Sequence, residues 1–478
     1  MTHLSRHRPG RCTAAALALL LAASACTGGG GDGRADDVSD GAADGGTIVI
    51  ASGRDVTGRG GVRQQLVDAW NEQQRRRNSG YTARLVELPG TADQQRSQLL
   101  GALQSGSSAY DVVNLDVTWV PEFAAAKAVR ELDPRLVDGD VVPSVAATAR
   151  WKGAVYAVPF NSDVGVLYYR KDYVRAAGVR QSDGAARAKD WDDFKGLIET
   201  VDKAEEDDLL PAAYEKGWTT QLDAYEGLTV NGVEAFASAG AGVADLVDGK
   251  GAYDGTVSQL EEGLAELRSR AAGAYTFDGV QDSDEARSLA DFTSGRTAFL
   301  RHWPYAYGTL HQILPKGALG VTALPGKAVL GGQNLAVART SRHRKAILDD
   351  LVAYLTGKES ERCLLEAGFA ATRASAYTKD PPMLCTVARP SPSGGPSGSG
   401  EAADQMPREP DGRPEYAAPV LLPALKAAVQ RPRTQLYGVF TQVFSAELHK
   451  LFGDNPRSVG EVAKRLDETL RRALPERD

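Results

Sequence analysis

Apolar positions recur along this chain with two periods. Residues 47–51 (TIVIA) form a short apolar run of strand length, and 82–88 (TARLVEL) alternate apolar with polar, as a half-buried strand does. Between them Val62, Leu66, Ala69 and Trp70 return at helical spacing. Asp93 is placed to cap a helix that carries Leu99, Leu100 and Leu103 and stops near Gly106. Residues 110–115 (YDVVNL) give a third strand, and Pro121 opens a helix at a favoured early position. Strand then helix, three times over, predicts a largely parallel sheet with helices on both faces. Ligands of such sheets sit beyond the carboxyl ends of the strands. Asp55 and Asp116 each stand just past a strand end.

The pattern continues less regularly. Residues 151–160 (WKGAVYAVPF) read as a ribbon with a glycine turn, 164–170 (VGVLYYR) as a strand, and 190–204 and 257–270 as helices. Residues 284–292 are helical and lead into a strand at 296–301 (RTAFLR). Another strand at 333–338 (QNLAVA) precedes helices near 344–356 and 359–367. The Pro-, Ser- and Gly-rich stretch 389–413 is expected to be a disordered surface loop. Residues 419–474 are expected to be helical in several pieces, and no fixed-period repeat is present.

A chain of 478 residues exceeds one ordinary core and suffices for two lobes. Its formal net charge is −7, and the first 25 residues hold three arginines and no acid, so the remainder carries −10. Such an acidic body argues against nucleic acid as the main partner. The run Arg75, Arg76, Arg77 follows a helical stretch and reads as a solvated helix end. No HExxH, GxSxG or Walker A pattern occurs, and the stretch 320–328 fails the last in spacing and final residue. The six histidines are not clustered, so neither a catalytic metal nor a cofactor is expected.

The start of the chain changes the compartment. His3, Arg6, His7, Arg8 and Arg11 form a basic region before the apolar run 14–23. That run is too short to span a bilayer, which takes about 20 apolar residues, and suits a signal peptide over 1–25. It ends in LAASAC, which resembles a bacterial lipobox in which Cys26 becomes the lipidated first residue. The other reading is ordinary cleavage that leaves Cys26 a free thiol. Residues 26–46, rich in Gly and Asp, are then a flexible tether. With Cys12 in the signal, Cys363 and Cys385 remain, as a disulfide in an oxidising compartment or as two separate thiols.

Several blocks, in order, resemble one family. They are 110–123 (YDVVNLDVTWVPEF), 152–170 (KGAVYAVPFNSDVGVLYYR), 224–228 (AYEGL), 292–307 (FTSGRTAFLRHWPYAY), 331–337 (GGQNLAV) and 431–443. Together they are similar to the extracellular solute-binding proteins of sugar-importing ABC transporters, the maltose-binding-protein-like group. The resemblance runs from about residue 47 to the end, outside 389–413. It implies an α/β, two-lobed periplasmic-binding-protein-like fold of type II, with discontinuous lobes joined by hinge strands and closing on a ligand. The lobes would be 47–159 with 296–338, and 160–295 with 339–478. It also implies a monomeric, non-enzymatic carrier on the outer face of the cytoplasmic membrane, passing a sugar to permease subunits. Residues 93–123 look most like the branch that binds trehalose and other disaccharides. An exported glycoside-acting enzyme and a sugar-sensing lipoprotein are the competing readings.

A sugar presents hydroxyls and apolar C–H faces, so its site needs paired polar side chains and aromatic plates. The family's matching block puts an acid at Asp116, with Trp119 three residues on; a helix cap is the structural alternative for Asp116. Asp55 has the same placement, or makes an Asx turn. Asn161 and Asp163 follow Pro159, where the chain is expected to change lobes, or serve a turn. Tyr225 and Glu226 fall in a block that lines the second lobe's cleft, or pack a helix start. Trp303, after a strand and before Pro304, is by resemblance the stacking plate. Gly331 and Gly332 would let backbone amides approach the ligand. Gln333 stands where many relatives carry an aromatic residue, and Arg431 matches a position near the cleft mouth.

Overall fold

The computed structural model describes residues 45–54, 61–179, 188–379, 385, 387, 406–453 and 455–475. The signal peptide, Cys26, most of the expected tether and Asp55 lie outside the described residues. Among those described, the strands are, in chain order, β1 (Gly46–Gly53), β2 (Tyr81–Leu88), β3 (Val112–Asp116), β4 (Arg150–Trp151), β5 (Ala154–Val155), β6 (Val158–Val164), β7 (Val166–Arg170), β8 (Lys216–Thr219), β9 (Thr297–His302), β10 (Leu319–Ala323) and β11 (Leu330–Val337). They form a five-stranded sheet in the order β2-β1-β3-β11-β6 and a four-stranded sheet in the order β10-β7-β9-β8. β4 and β5 make a small hairpin closed by Lys152 and Gly153, both at positive φ.

Side-chain alternation along the first sheet feeds two cores. Ile48, Ile50 and Val112 meet Val62, Leu66 and Trp70 of α1 (Val62–Arg77). Ala51, Val113 and Leu115 face the other way, toward Leu99 and Leu103 of α2 (Ala92–Gln104) and Phe123 of α3 (Val120–Ala125). Thr91, not Asp93, caps α2, in a reciprocal capping box with Gln94. β1 is parallel to β2 and β3, but β11 is antiparallel to both β3 and β6. The largely parallel sheet read from the pattern is therefore parallel over its first three strands only. β11 enters from the second sheet and runs the opposite way.

The crossings between sheets differ from the expected boundaries. β6 stays in the first sheet through Val164, so the crossing falls at Gly165 and not after residue 159. β9 and β10, expected in the first lobe within 296–338, lie in the second sheet, and β11 alone of the three returns. The helical pieces Arg344–Ala346, Ile347–Val352 and Ala353–Leu355 and the helix Lys358–Glu366, expected in the second lobe, pack elsewhere. They bury Ile347, Leu351, Leu355 and Leu364 in the core that α1 closes. An apolar run specifies that a segment is buried, but not which sheet receives it. Residues 406–413, expected in the disordered loop, are packed: Met406 joins the second sheet's core, and Arg413 pairs with Asp411 at 2.8 Å. Cys363 is disulfide-bonded to Cys385, with Cα atoms 4.6 Å apart. No helix of the described residues is long and apolar enough to cross a membrane.

Candidate functional site

Register brings one level of the first sheet together. Gln333 on β11 lies opposite Asp116, the last residue of β3, and opposite Asn161 on β6. Arg63, in the first turn of α1, reaches across this level. It donates to Asn161 Oδ1 at 2.9 Å, Gln333 Oε1 at 2.7 Å and Ser52 Oγ at 3.2 Å. Asn114 Nδ2 donates to the same Gln333 oxygen at 2.7 Å and to Ser52 at 2.9 Å. Phe369 lies 4.9 Å beneath the Arg63 guanidinium. Arg63 was not among the sequence candidates, yet it stands three, four and seven residues before Leu66, Val67 and Trp70, on the apolar stripe of its helix. Gly332 has φ 105°, and a Cβ there would lie 2.4 Å from the Asn161 carbonyl oxygen. Its glycine therefore answers the neighbouring strand, since any side chain there would run into β6.

The facing wall comes from the helix Glu226–Ala239 and the segment before the helix Tyr437–Leu448. Arg431, 4% exposed, donates to Asp116 at 2.9 and 3.3 Å and to Glu226. Glu226 also accepts from the Tyr437 hydroxyl and from Thr441 Oγ1 at 2.7 Å. One guanidinium thus ties a strand end of the first sheet to a helix start of the second lobe. Burial raises the Glu226 pKa and Arg431 opposes the rise. Burial alone would lower Arg431, but Asp116, Tyr437 and Glu226 hold it well above its ordinary value. Asp116 also accepts from Thr118 N at 2.9 Å and Thr118 Oγ1 at 2.7 Å, so it closes an Asx turn as well.

Trp303 follows β9 and is half-buried. The Arg301 guanidinium lies 4.0 Å from its ring, and Glu234 in turn holds Arg301 at 2.7 and 3.0 Å. Tyr225 caps the helix Glu226–Ala239 by position and donates to Glu285 Oε2 at 2.5 Å, while the Trp303 indole approaches the other Glu285 oxygen at 3.5 Å. The sequence reading missed Glu285. A Cβ on Gly331 would meet Asp163 at 3.1 Å and the Trp303 ring at 3.2 Å, so these two side chains converge over that glycine. Trp119, whose amide donates to the Asp116 carbonyl oxygen at 2.9 Å, is 6% exposed and packs on Phe123, ring centroids 6.5 Å apart. Between α2 and the helix Tyr437–Leu448 lies a cavity of about 630 Å³, lined by Gly90, Asp93, Gln94, Ser97, Gln98 and Gln442. No cluster of His, Cys, Asp or Glu suited to a metal ion occurs among the described residues.

Residues 56–362 match the family described as bacterial extracellular solute-binding protein. This chain belongs to that family. A probable ABC transporter-binding protein of Deinococcus radiodurans is 30% identical to the new solute-binding protein over 336 residues, 67% of this chain and 74% of its own length. An arabinooligosaccharide-binding protein of Halalkalibacterium halodurans is 29% identical over 31% of this chain and 34% of its own. The maltose-bound MalE3 of T. maritima superposes with a TM-score of 0.69 at 23% identity, covering 90% of this chain and all of its own. A solute-binding protein of Thermotoga lettingae with bound α-D-tagatose gives 0.70 at 17% identity, with the same coverage. These likenesses establish the two-lobed α/β fold of periplasmic binding proteins.

Asp163 is the most perturbed acid in this solute-binding protein's candidate site. Its Oδ1 is enclosed and accepts no hydrogen bond. Burial pushes its pKa up to about 7, with Arg63 pulling down and the Asp116 charge pushing up. An acid raised above its unfolded value of about 3.9 contributes stability at low pH that is lost as pH climbs toward the folded value. Asp163→Asn should therefore gain on wild type between about pH 4 and about pH 8. Urea denaturation at both pH values measures this, and a mutant–wild-type difference that does not change with pH would mean that Asp163 ionises normally.

Proposed function

We propose that this solute-binding protein captures a sugar between its two lobes and passes it to an ABC permease. The observation that carries the reading is the convergence of Asp116, Asn161 and Gln333 from one sheet with Glu226, Arg431 and the half-buried Trp303 from the other side. Carboxylates, amides and a guanidinium suit hydroxyls in both hydrogen-bonding senses, and an indole suits the C–H face. A di- or oligosaccharide fits the names of relatives, which include an arabinooligosaccharide-binding protein and a multiple sugar-binding protein of Streptococcus mutans. The sequence lean toward trehalose-like disaccharides makes these the first ligands to test.

The test is a thermal-shift screen over sugars, with product analysis of the same incubations. A ligand held by the native state alone adds about 2.7 kcal/mol at a hundred times its Kd. A raised melting temperature with unchanged sugar supports the carrier reading. Hydrolysed sugar would establish an enzyme, and no shift with any sugar would remove the sugar assignment.

Anchoring belongs to the same proposal. Cys26 carries lipid at the outer face of the membrane, and the Gly- and Asp-rich residues after it give the binding body reach. Wild type expressed in a lipoprotein-processing bacterium should enter the detergent phase, and Cys26→Ala should stay aqueous. Identical partitioning of the two would exclude lipid on Cys26.

A further inference from the structure

The end of the first sheet away from the polar layer carries a concentration of positive charge that the function above does not use. Val129 and Ala338 pair as an isolated bridge there, beyond the start of β3 and the end of β11. Arg130 clamps the following turn, donating to the carbonyl oxygens of Arg339 at 2.7 Å and Ser341 at 3.2 Å. A cavity of about 270 Å³ opens at this turn, bordered by Lys127, Arg130, Arg339 and Arg344, with Glu131 the one acid and Tyr156 the one aromatic. Arg342 and Lys345 are exposed next to it in sequence. Lys127, Arg339, Arg342, Arg344 and Lys345 make no ion pair among the described residues. The nearest buried acid, Asp111, is committed to Ser341 Oγ at 2.7 Å and Val49 N at 2.9 Å. The Arg75–Arg77 run does not add to this surplus, because Glu72 and Asp350 take it.

This end is also where the described chain begins. A Cβ on Gly46 would lie 2.9 Å from the His343 ring, so β1 starts against the turn that carries Arg342 and Arg344. A cationic surface of this kind, with Lys127, Arg339 and Arg344 left without ion-pair partners among the described residues, is the electrostatic complement of anionic lipid headgroups.

We propose that this basic end docks on anionic lipid headgroups, the cavity between Lys127, Arg130, Arg339 and Arg344 receiving a headgroup phosphate. The orientation it implies rests on the anchoring read above; the binding itself does not. β1 runs from this end to Ser52 in the polar layer, roughly 20 Å away at the rise of a strand. Docked so, the first lobe holds its ligand-facing level away from the bilayer, a capture orientation that it must leave to hand solute to a permease.

The test uses the full chain with Cys26→Ser, so that lipid plays no part, and sedimentation with vesicles. Binding to mixed phosphatidylglycerol–phosphatidylcholine vesicles, weakened by salt and absent with phosphatidylcholine alone, is expected. Lys127→Glu with Arg339→Glu and Arg344→Glu should lower partitioning tenfold or more, with an unchanged melting curve because all three side chains are exposed. Equal binding to both vesicle types, or no loss in the triple variant, would overturn the proposal. So would saturable binding of inorganic phosphate without vesicle binding. The acidic residues Asp32, Asp36, Asp37, Asp40 and Asp44 of the preceding segment are the rival occupant. Vesicle binding that emerges only when they are changed to Asn would assign the surface to that segment. Sugar binding, measured on the same samples, reports separately on the carrier reading.

Discussion

Trp303→Ala is expected to weaken sugar binding about a hundredfold, which corresponds to about 2.7 kcal/mol. The indole is half-buried and stands beside Asp163 and Gly331, so it offers a large apolar surface at the candidate site. Stacking a sugar on it removes apolar area of both partners from water. The apo protein should lose little: the Arg301 guanidinium gives up a cation–π contact of about 1 kcal/mol, and the indole hydrogen bond to Glu285 is long, at 3.5 Å. Calorimetry with the best sugar, beside a melting curve of the apo variant, checks both statements. Unchanged affinity would remove Trp303 from the site, and loss of binding by unfolding would make it a core residue.

The largest loss of stability is expected one layer below. Arg301 and Glu234 are 1% and 2% exposed and meet through two hydrogen bonds. Gln221 accepts from Arg301 at 3.2 Å, and Glu234 also accepts from the Val329 amide at 3.0 Å. The pair sits where the chain crosses between sheets: a Cβ on Gly165 would lie 2.4 Å from Glu234 and 3.0 Å from Arg301. Removing one partner leaves an uncompensated buried charge, which costs about 3–5 kcal/mol. Arg301→Met should therefore lower the urea midpoint strongly and also loosen Trp303, whose ring Arg301 covers. A change below about 1 kcal/mol would show that water reaches Glu234 and that the crossing does not depend on this pair. Arg301→Met with Glu234→Met should recover part of the loss, because the second change removes the stranded carboxylate.

The arrangement also explains how these buried polar groups are held without a sugar. Arg431 neutralises Asp116 and Glu226 from opposite walls, and Arg63 occupies the amides of Asn161 and Gln333 on the first sheet. Each acceptor that a sugar hydroxyl would use already has a donor, so binding exchanges partners and does not create isolated buried charges. Asp163 is the exception, and its raised pKa is the consequence.

Much of this site was legible as a set of positions but not as a set of contacts. As candidates, Asp116 was marked by its strand end, Asn161 by its place after Pro159, where a change of lobe was expected, and Arg431 and Glu226 by blocks shared with a family. That Arg431 joins the two acids was not visible, because 315 positions separate it from Asp116 and 205 from Glu226. Arg63 did leave a trace, a cation on the buried stripe of α1, which normally signals a partner inside. Glu285 left none: an acid in the first turn of a helix is what the helix dipole favours anywhere. Trp119 packs on Phe123, and an aromatic residue close to a strand end reads equally as plate or core.

The sequence by itself determined the strands and helices as far as Ala125, a length sufficient for two lobes, and the family. These rest on side-chain period, chain length and shared motifs, all of which are local or additive. Only the tertiary structure decided that β9 and β10 join the second sheet, that the helices following β11 return to α1, and that the lobe change falls at Gly165. The physical reason is that an apolar stripe is equally satisfied by any complementary face. Which face it meets depends on the packing of the whole chain, and charged groups such as Arg431 and Arg301 find their partners only where that packing brings them.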